Sequence, residues 1–263
     1  MRALWTAATG MKAQQLNMDV ISNNLSNVNT AAYKNQRAEF KDLMYSAMKK
    51  TNLKDEVGRP VNLEIGFGVM TGATTRFFKQ GSFMETQNDL DVALQGDGFF
   101  QVQLPNEEVR YTRDGSFKLS VEENVSKLVT SEGYYVLGED GPIEIPNGYT
   151  DFKVGQLGHI SAKDEDGNLQ DLGRIRLAKF INNEGLLSEG ENLYKETVAS
   201  GNAIEMEPDT MEAKMRQGYL EMSNVQVVDE MIRMITAQRA YEINSKAITT
   251  SDEMMQLVNN LKR

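Results

Sequence analysis

Residues 2–30 read RALWTAATGMKAQQLNMDVISNNLSNVNT, and the spacing of their apolar positions sets the fold at this end. Leu4, Ala7, Met11, Gln14, Met18, Ile21, Leu25 and Val28 follow one another at alternating steps of three and four, and all but Gln14 are apolar. Such a narrow stripe is the seam along which one helix packs against another, as in a coiled coil. The segment ends in Asn23, Asn24, Ser26, Asn27 and Asn29, residue types whose side chains compete for backbone hydrogen bonds and favour caps and turns. A helix over about residues 2–24 is predicted. From Ser223 to Leu261 the chain has no Gly and no Pro and is rich in Met, Ile, Val, Ala, Gln and Glu, which predicts a second long helix. Its apolar residues include Val228, Ile232, Ile235, Tyr241, Ile243, Leu257 and Leu261, and they spread around more than one face. A helix apolar on several sides has to be buried on several sides. One N-terminal helix cannot cover it, so neighbours outside the chain are expected.

Between the helices the texture changes. From about residue 66 to 200, short runs rich in β-branched and aromatic residues are separated by Gly, Asp and Pro, and most of the 21 glycines fall here. Val92-Ala93-Leu94, Phe99 to Leu104, Val109 to Thr112, Ser116 to Leu119 and Tyr134 to Leu137 are the clearest strands. Asp97-Gly98 and Asp114-Gly115 stand between such runs, which is a hairpin signal because a type I′ turn needs positive φ at both central residues. Residues 45–66, with Lys49, Lys50, Lys54, Asp55, Glu56, Gly58 and Pro60, show no periodicity and read as a long loop or an extended arm. The fold class is therefore α+β: a mainly β centre with helical ends that pair as a coiled coil.

Composition narrows the function. The 263 residues permit a packed core in one or two domains. With no cysteine there is no disulfide, thiolate nucleophile or Cys-based zinc site. A net charge of −10 argues against a nucleic-acid partner, which requires a basic footprint. The charge is uneven: residues 1–60 carry 9 Lys/Arg against 5 Asp/Glu, and residues 61–263 carry 19 against 33. No apolar run is long enough to span a bilayer, so no membrane insertion is expected, and residues 1–30 lack the features of a cleaved secretory signal.

Candidate chemistry is sparse. Gly66-Phe67-Gly68 has Thr71 where a third glycine belongs, and Gly96-Asp97-Gly98 precedes a strand, so neither forms a phosphate-binding helix start. Placing Gly167 at the sixth position of a calcium loop puts Ala162 first and Gly173 last, where oxygen ligands are needed, so Asp164 to Asn168 reads as an acidic hairpin turn. His159 is the single histidine and has no nucleophile motif near it. No catalytic residue, metal site or cofactor is expected.

Asn23-Asn24-Leu25-Ser26-Asn27-Val28-Asn29-Thr30 with Tyr33-Lys34 resembles the N-terminal signature of the rod and hook axial proteins of the bacterial flagellum. Gly218 to Val225, containing Ser223 and Asn224, and Gln238-Arg239-Ala240-Tyr241-Glu242 resemble the matching C-terminal signature. Gly96-Asp97-Gly98-Phe99-Phe100 and Tyr111 to Phe117, with Asp114 and Gly115, are similar to motifs of the family's central β domain. The length, residues 240–246 and Gly190 to Tyr194 point to its rod members, and residues 46–63 correspond by position to an insertion that hook proteins lack. Ala32 stands where a glycine is common, which counts against a positive-φ turn there.

The resemblance implies helical ends (1–30 and 225–263) that pack with neighbouring subunits as an inner tube. It also implies connecting regions (31–70 and 200–224) and an outer β domain (71–199). It implies a helical homopolymer that meets proximal rod and hook proteins at its ends and the L- and P-ring bushing around it. Delivery by the flagellar export apparatus and a place in the rod across the periplasm follow from the same likeness. A proximal rod or hook subunit is the nearest alternative, and a secreted β-rich adhesin with a coiled-coil stalk is a more distant one.

Overall fold

The computed structural model describes residues 2–49, 63–122, 125–146, 148–164, 167–206 and 213–261. The chain forms two compact units, both discontinuous in sequence. A helical unit contains Met1–Ser26, Gln36–Arg76 and Gln226–Arg263, and a β unit contains Asn27–Asn35 and Phe77–Val225.

In the helical unit, α1 (Arg2–Ser26) is followed by β1 (Gln36–Asp42), β2 (Tyr45–Lys49), β3 (Leu63–Gly66) and β4 (Val69–Arg76), and α2 (Val227–Asn260) closes it. The two helices pack together, as the sequence indicates. They run antiparallel: Asn24 reaches Glu230, and Gly10 abuts Asn244. Gly10 costs the helix about 1 kcal/mol relative to alanine. It is placed where a Cβ would stand 2.9 Å from the Asn244 amide nitrogen, so its absence lets the helices approach.

The covered face of α1 differs from the predicted seam. Ala7 and Ile21 are buried, but Leu4, Met11, Met18, Leu25 and Val28 are only half-buried, whereas Ala13, Val20 and Asn24 lie off the seam and are buried. The reason is a second neighbour: β1 and β4 also pack on α1 and widen its buried stripe beyond what a two-helix contact needs.

β1 and β4 pair antiparallel from Gln36↔Arg76 to Asp42↔Val69, with a bulge at Glu39/Phe40. β2 and β3 pair from Tyr45↔Gly66 to Lys49↔Leu63. The flanks of the segment read as a loop or arm are thus strands, and residues 50–62, the greater part of the predicted 46–63 insertion, lie outside the described residues.

The β unit contains β5 (Phe83–Glu85), β6 (Val92–Gln95), β7 (Phe99–Gln103), β8 (Val109–Thr112), β9 (Lys118–Glu122), β10 (Val125–Val129) and β11 (Tyr135–Gly138). These are followed by β12 (Gly141–Pro142), β13 (Glu144–Pro146), β14 (Thr150–Val154), β15 (His159–Lys163) and β16 (Leu169–Arg174). The last six are β17 (Leu177–Lys179), β18 (Leu187–Gly190), β19 (Leu193–Lys195), β20 (Ile204–Glu205), β21 (Lys214–Gln217) and β22 (Tyr219–Glu221). The spine of the large sheet runs β13-β10-β11-β7-β8-β19-β18, and β14-β15-β16 form a three-stranded sheet.

Alternation along a strand explains the Phe99-Phe100 pair. Phe100 enters the aliphatic core with Leu94, Val102, Val136, Ile175 and Leu177, while Phe99 enters an aromatic cluster with Tyr111, Phe180 and Tyr194. Both faces of β7 are therefore covered, which is why its sequence is a continuous run. The aromatic rings meet edge to face, Phe99–Phe180 at 5.7 Å and Tyr111–Phe180 at 4.8 Å between centroids.

The two Asp-Gly hairpin expectations are corrected. β6 pairs with β21 rather than β7, and β8 pairs with β7 and β19 while β9 pairs with β10. Gly115 is present for close approach instead of for a turn: a Cβ there would lie 1.8 Å from the Val92 carbonyl oxygen. Its own carbonyl accepts from Val92 N–H at 3.0 Å. Ala32 is also corrected, because it adopts φ +57° and keeps the left-handed turn without glycine. β15 and β16, which flank the predicted acidic turn, pair antiparallel, and Asp164 N–H donates to the Asn168 carbonyl at 3.0 Å; residues 165 and 166 lie outside the described residues.

Candidate assembly surface and its anchoring clusters

The sequence-selected positions of α2 face outward within the single chain. Val228, Ile232, Ile235, Tyr241, Ile243, Leu257 and Leu261 are between 37% and 86% exposed, and Glu230 and Ala237 are the buried residues of the helix. Exposed apolar surface on this scale along one element exceeds the singly scattered apolar residues of an ordinary exterior. Gln238 and Arg239, from the C-terminal signature, are exposed on the same helix.

Signature residues at the ends of the helices have a different task. Asn24 is wholly buried inside α1, not at a turn as its residue type suggests. Its Oδ1 accepts from Gln36 N–H at 2.9 Å, and its Nδ2 donates to the Gln36 carbonyl at 2.8 Å. This reciprocal pair imitates a strand rung and fixes the start of β1. Nδ2 also donates to Glu230 Oε2 at 3.4 Å, joining the two helices, and Arg233 pairs with Glu230 Oε1 at 3.1 Å. Asn23 is exposed, and Asn27 Oδ1 accepts from the Thr30 hydroxyl at 3.2 Å in the turn that follows α1.

In the β unit, three signature runs converge on one buried ion cluster. Lys34 Nζ lies 2.6 Å from Glu221 Oε1, and Arg113 lies 3.2 Å from Glu221 Oε2; the side chains of Lys34 and Glu221 are fully inaccessible and that of Arg113 nearly so. Backbone groups supply further partners. Lys34 donates to the Lys79 carbonyl at 2.8 Å, Gly81 N–H donates to Glu221 Oε1 at 2.8 Å, and Arg113 Nε donates to the Gly98 carbonyl at 2.9 Å. Asn224 binds the same segments together. Its Oδ1 accepts from Asn35 N–H at 2.8 Å, and its Nδ2 donates to the Phe77 and Lys79 carbonyls at 2.9 and 3.1 Å. Ser223 and Tyr33 are buried beside them, and the Ser223 hydroxyl accepts from Val225 N–H at 3.3 Å. Residues 33–35, 77–81 and 221–224, where the chain enters and leaves this unit, are thereby held as one.

Burial pulls the Lys34 ammonium down from 10.5 to about 8, against the opposing attraction of Glu221. The unfolded chain therefore holds more protons than the folded one between pH 8 and 10.5, and stability should rise with pH across that window. Tyr111, pushed up by burial to about 12, acts in the opposite sense only above pH 10. Urea unfolding of the β unit between pH 8 and 10 should show the rise in the native chain and a flatter profile in Lys34→Met. Equal slopes in the two would remove Lys34 as its source.

The motifs themselves were legible, but not this chemistry. Lys34, Arg113 and Glu221 each stand inside a quoted signature run. Among the described residues no group of three or more His, Asp or Glu is arranged to hold a metal ion. His159 is exposed on β15, 3.9 Å from Asp171. No helix among the described residues is long and apolar enough to cross a membrane.

Comparison with known families matches three stretches of the chain. Residues 4–34 match the flagella basal body rod protein family, residues 93–162 the flagellar hook protein FlgE/F/G D1 domain, and residues 216–261 the flagellar basal body rod FlgEFG protein C-terminal domain. The chain belongs to the flagellar basal-body rod protein family, a family of structural proteins of the flagellum. It is 48% identical to the flagellar basal-body rod protein FlgG of Borreliella burgdorferi, over 100% of this chain and 99% of that one. The rod protein FlgG of Caulobacter vibrioides is 42% identical with all of both chains covered, and that of Bacillus subtilis 38%, again over both whole chains.

Proposed function

We propose that this chain is the structural subunit of the distal rod, polymerising helically into a stiff hollow shaft that carries motor torque to the hook. The observation that carries this reading is the outward apolar face of α2, from Val228 to Leu261, on a chain similar over its whole length to basal-body rod proteins. A heterologous contact that does not close generates a filament, and repeated burial of this face supplies its cohesion.

In this reading residues 1–30 and 225–263 form the inner, coiled-coil tube. Residues 31–70 and 200–224 connect it to the outer β domain of residues 71–199. The assembly residues are Leu4, Ala7, Met11, Met18, Ile21, Leu25 and Val28 with the α2 positions named above. The helices gain their full partner surface only on incorporation, which confines growth to the tip. Such a subunit needs rigid contacts and no reaction, so no catalysis is assigned. Its partners are further copies, proximal rod and hook proteins at the two ends, the surrounding L- and P-ring bushing and the flagellar export apparatus. The rod crosses the periplasm, and the flagellar export apparatus delivers the subunit to it.

Electron microscopy of rods made by the full chain and by a chain lacking residues 46–63 tests the reading. Straight tubes are expected from the first and curved tubes from the second, because removal of the insertion takes away a bridge between neighbours. A full chain that gives only closed oligomers of fixed size contradicts the reading, and deletion tubes as straight as the native ones remove the stiffening role.

A further inference from the structure

Two features of the sequence have no task so far: Ala32, which keeps a left-handed turn without glycine, and the run from Gly190 to Tyr194. They meet in the β unit. Asn192 Nδ2 donates to the Ala31 carbonyl at 3.0 Å, across 161 residues of sequence. Ala31 and Ala32 lie in the excursion Asn27–Asn35, which belongs to the β unit although the chain before it (α1) and after it (β1) belongs to the helical unit.

The hairpin tip that makes this contact is itself held in place. Gly190 pairs with Leu193, so Glu191 and Asn192 are the two turn residues, at φ +51° and +57°. A two-residue hairpin turn asks for positive φ at both positions, which asparagine tolerates and glutamate disfavours. The Tyr134 hydroxyl donates to Glu191 Oε2 at 2.8 Å, and the Thr112 hydroxyl donates to the Asn192 carbonyl at 3.0 Å. Opposite the tip, the planar peptide that joins Ala31 to Ala32 is gripped at both edges. Its carbonyl accepts from Asn192, and its N–H donates to the Glu221 carbonyl at 2.7 Å. Ala32 is buried at φ +57°, a conformation that strains an alanine, and rotation of this one peptide plane is the shortest way out of it. Such a rotation breaks both hydrogen bonds.

We propose that Asn192 is a latch on the Ala31–Ala32 peptide, that it keeps the excursion of residues 27–35 from acting as a hinge, and that the straightness of the rod depends on it. A hinge is made by a few residues outside regular elements that absorb a change of φ and ψ. Ala32, strained and five residues or so beyond the end of α1, is placed to be one, and the latch denies it the freedom. This acts inside one subunit, apart from residues 46–63, whose proposed bridge joins neighbours. It rests on the rod reading above and assigns a positioning residue to its stiffness.

Asn192→Gly tests the latch, because glycine keeps the positive φ and the carbonyl that Thr112 binds but removes the Nδ2 donor. In the free full-length chain, hydrogen exchange at the Ala32 amide should quicken roughly five- to tenfold, the scale of one lost hydrogen bond, with the amides of β7 unchanged. Rods grown on a basal-body seed should be straight from the native chain and curved or kinked from the variant by electron microscopy. Glu191→Gly is the control: it relaxes the tip, leaves the Asn192 donor in place, and should match the native chain in both measurements. Ala32 exchange as slow in Asn192→Gly as in the native chain overturns the latch. Faster exchange with rods as straight as native overturns its mechanical role, and curved rods from Glu191→Gly overturn the assignment to Asn192. Should Asn192→Gly unfold the β unit, Asn192→Asp, which suits the same turn and has no donor, takes its place. A native chain that forms no rods on the seed counts against the rod reading itself, and the exchange measurement then decides the latch alone.

Discussion

Ile235→Asp is expected to abolish rod assembly while leaving the stability of the free subunit within about 0.5 kcal/mol of the native value. Ile235 is 50% exposed on α2, so in the isolated chain a carboxylate there remains solvated. In a polymer that buries the exposed half of this side chain, the change removes up to half of the roughly 1.5–3 kcal/mol that full burial supplies. It also places an unpaired charge in a dry contact, which costs several kcal/mol more. Even about 4 kcal/mol lowers a subunit's affinity for the tip roughly a thousandfold. Motility, rod counts by electron microscopy and a thermal melt of the soluble subunit measure the three consequences separately. Normal rods in the variant would show that this part of α2 stays wet in the assembly. Lost rods with an unfolded subunit would show instead that Ile235 supports the fold.

Glu221→Ala should be among the most damaging single substitutions in the β unit. It leaves Lys34 and Arg113 as two buried cations without their shared carboxylate, and Gly81 N–H without its acceptor. Breaking a buried pair from one side costs about 3–5 kcal/mol, and an orphaned N–H adds roughly 1–3. A further substitution of Lys34 by methionine should recover part of the loss, because one of the stranded charges is removed with it. Urea unfolding of the native, single and double variants completes the cycle. A single variant within about 1 kcal/mol of native would mean that the cluster is hydrated and carries little of the fold.

The helices were readable because their signals are local: a three-and-four stripe in residues 4–28 and a long stretch without Gly or Pro after Ser223. What failed to read locally was set by distant partners. Asn24 has the profile of a cap, yet its place in α1 is decided by Gln36 and by Glu230, which is 206 residues away. Asp114-Gly115 has the letters of a hairpin turn, but Gly115 answers to the Val92 carbonyl, and no window around residue 115 contains that atom. The seam of α1 was drawn for one neighbour, and β1 and β4 supply a second. The ion cluster escaped for the same reason: Lys34 and Glu221 stand 187 residues apart, and each is unremarked until the other is beside it.

That separation gives the subunit a sense of completeness. A chain that emerges N-terminus first has Lys34 in solution long before its carboxylate exists on the same side of any barrier. The Glu230 partner of Asn24 and the Glu221 partner of Lys34 arrive only with the last fifth of the polypeptide. The partners of residues near the start thus come late, and the stretch from Glu221 to Glu230 acts as a stop code written in three dimensions. A subunit cut short near residue 220 would have no means of hiding those groups, and its defect would be chemical as well as geometric. Only the whole molecule can become dry inside.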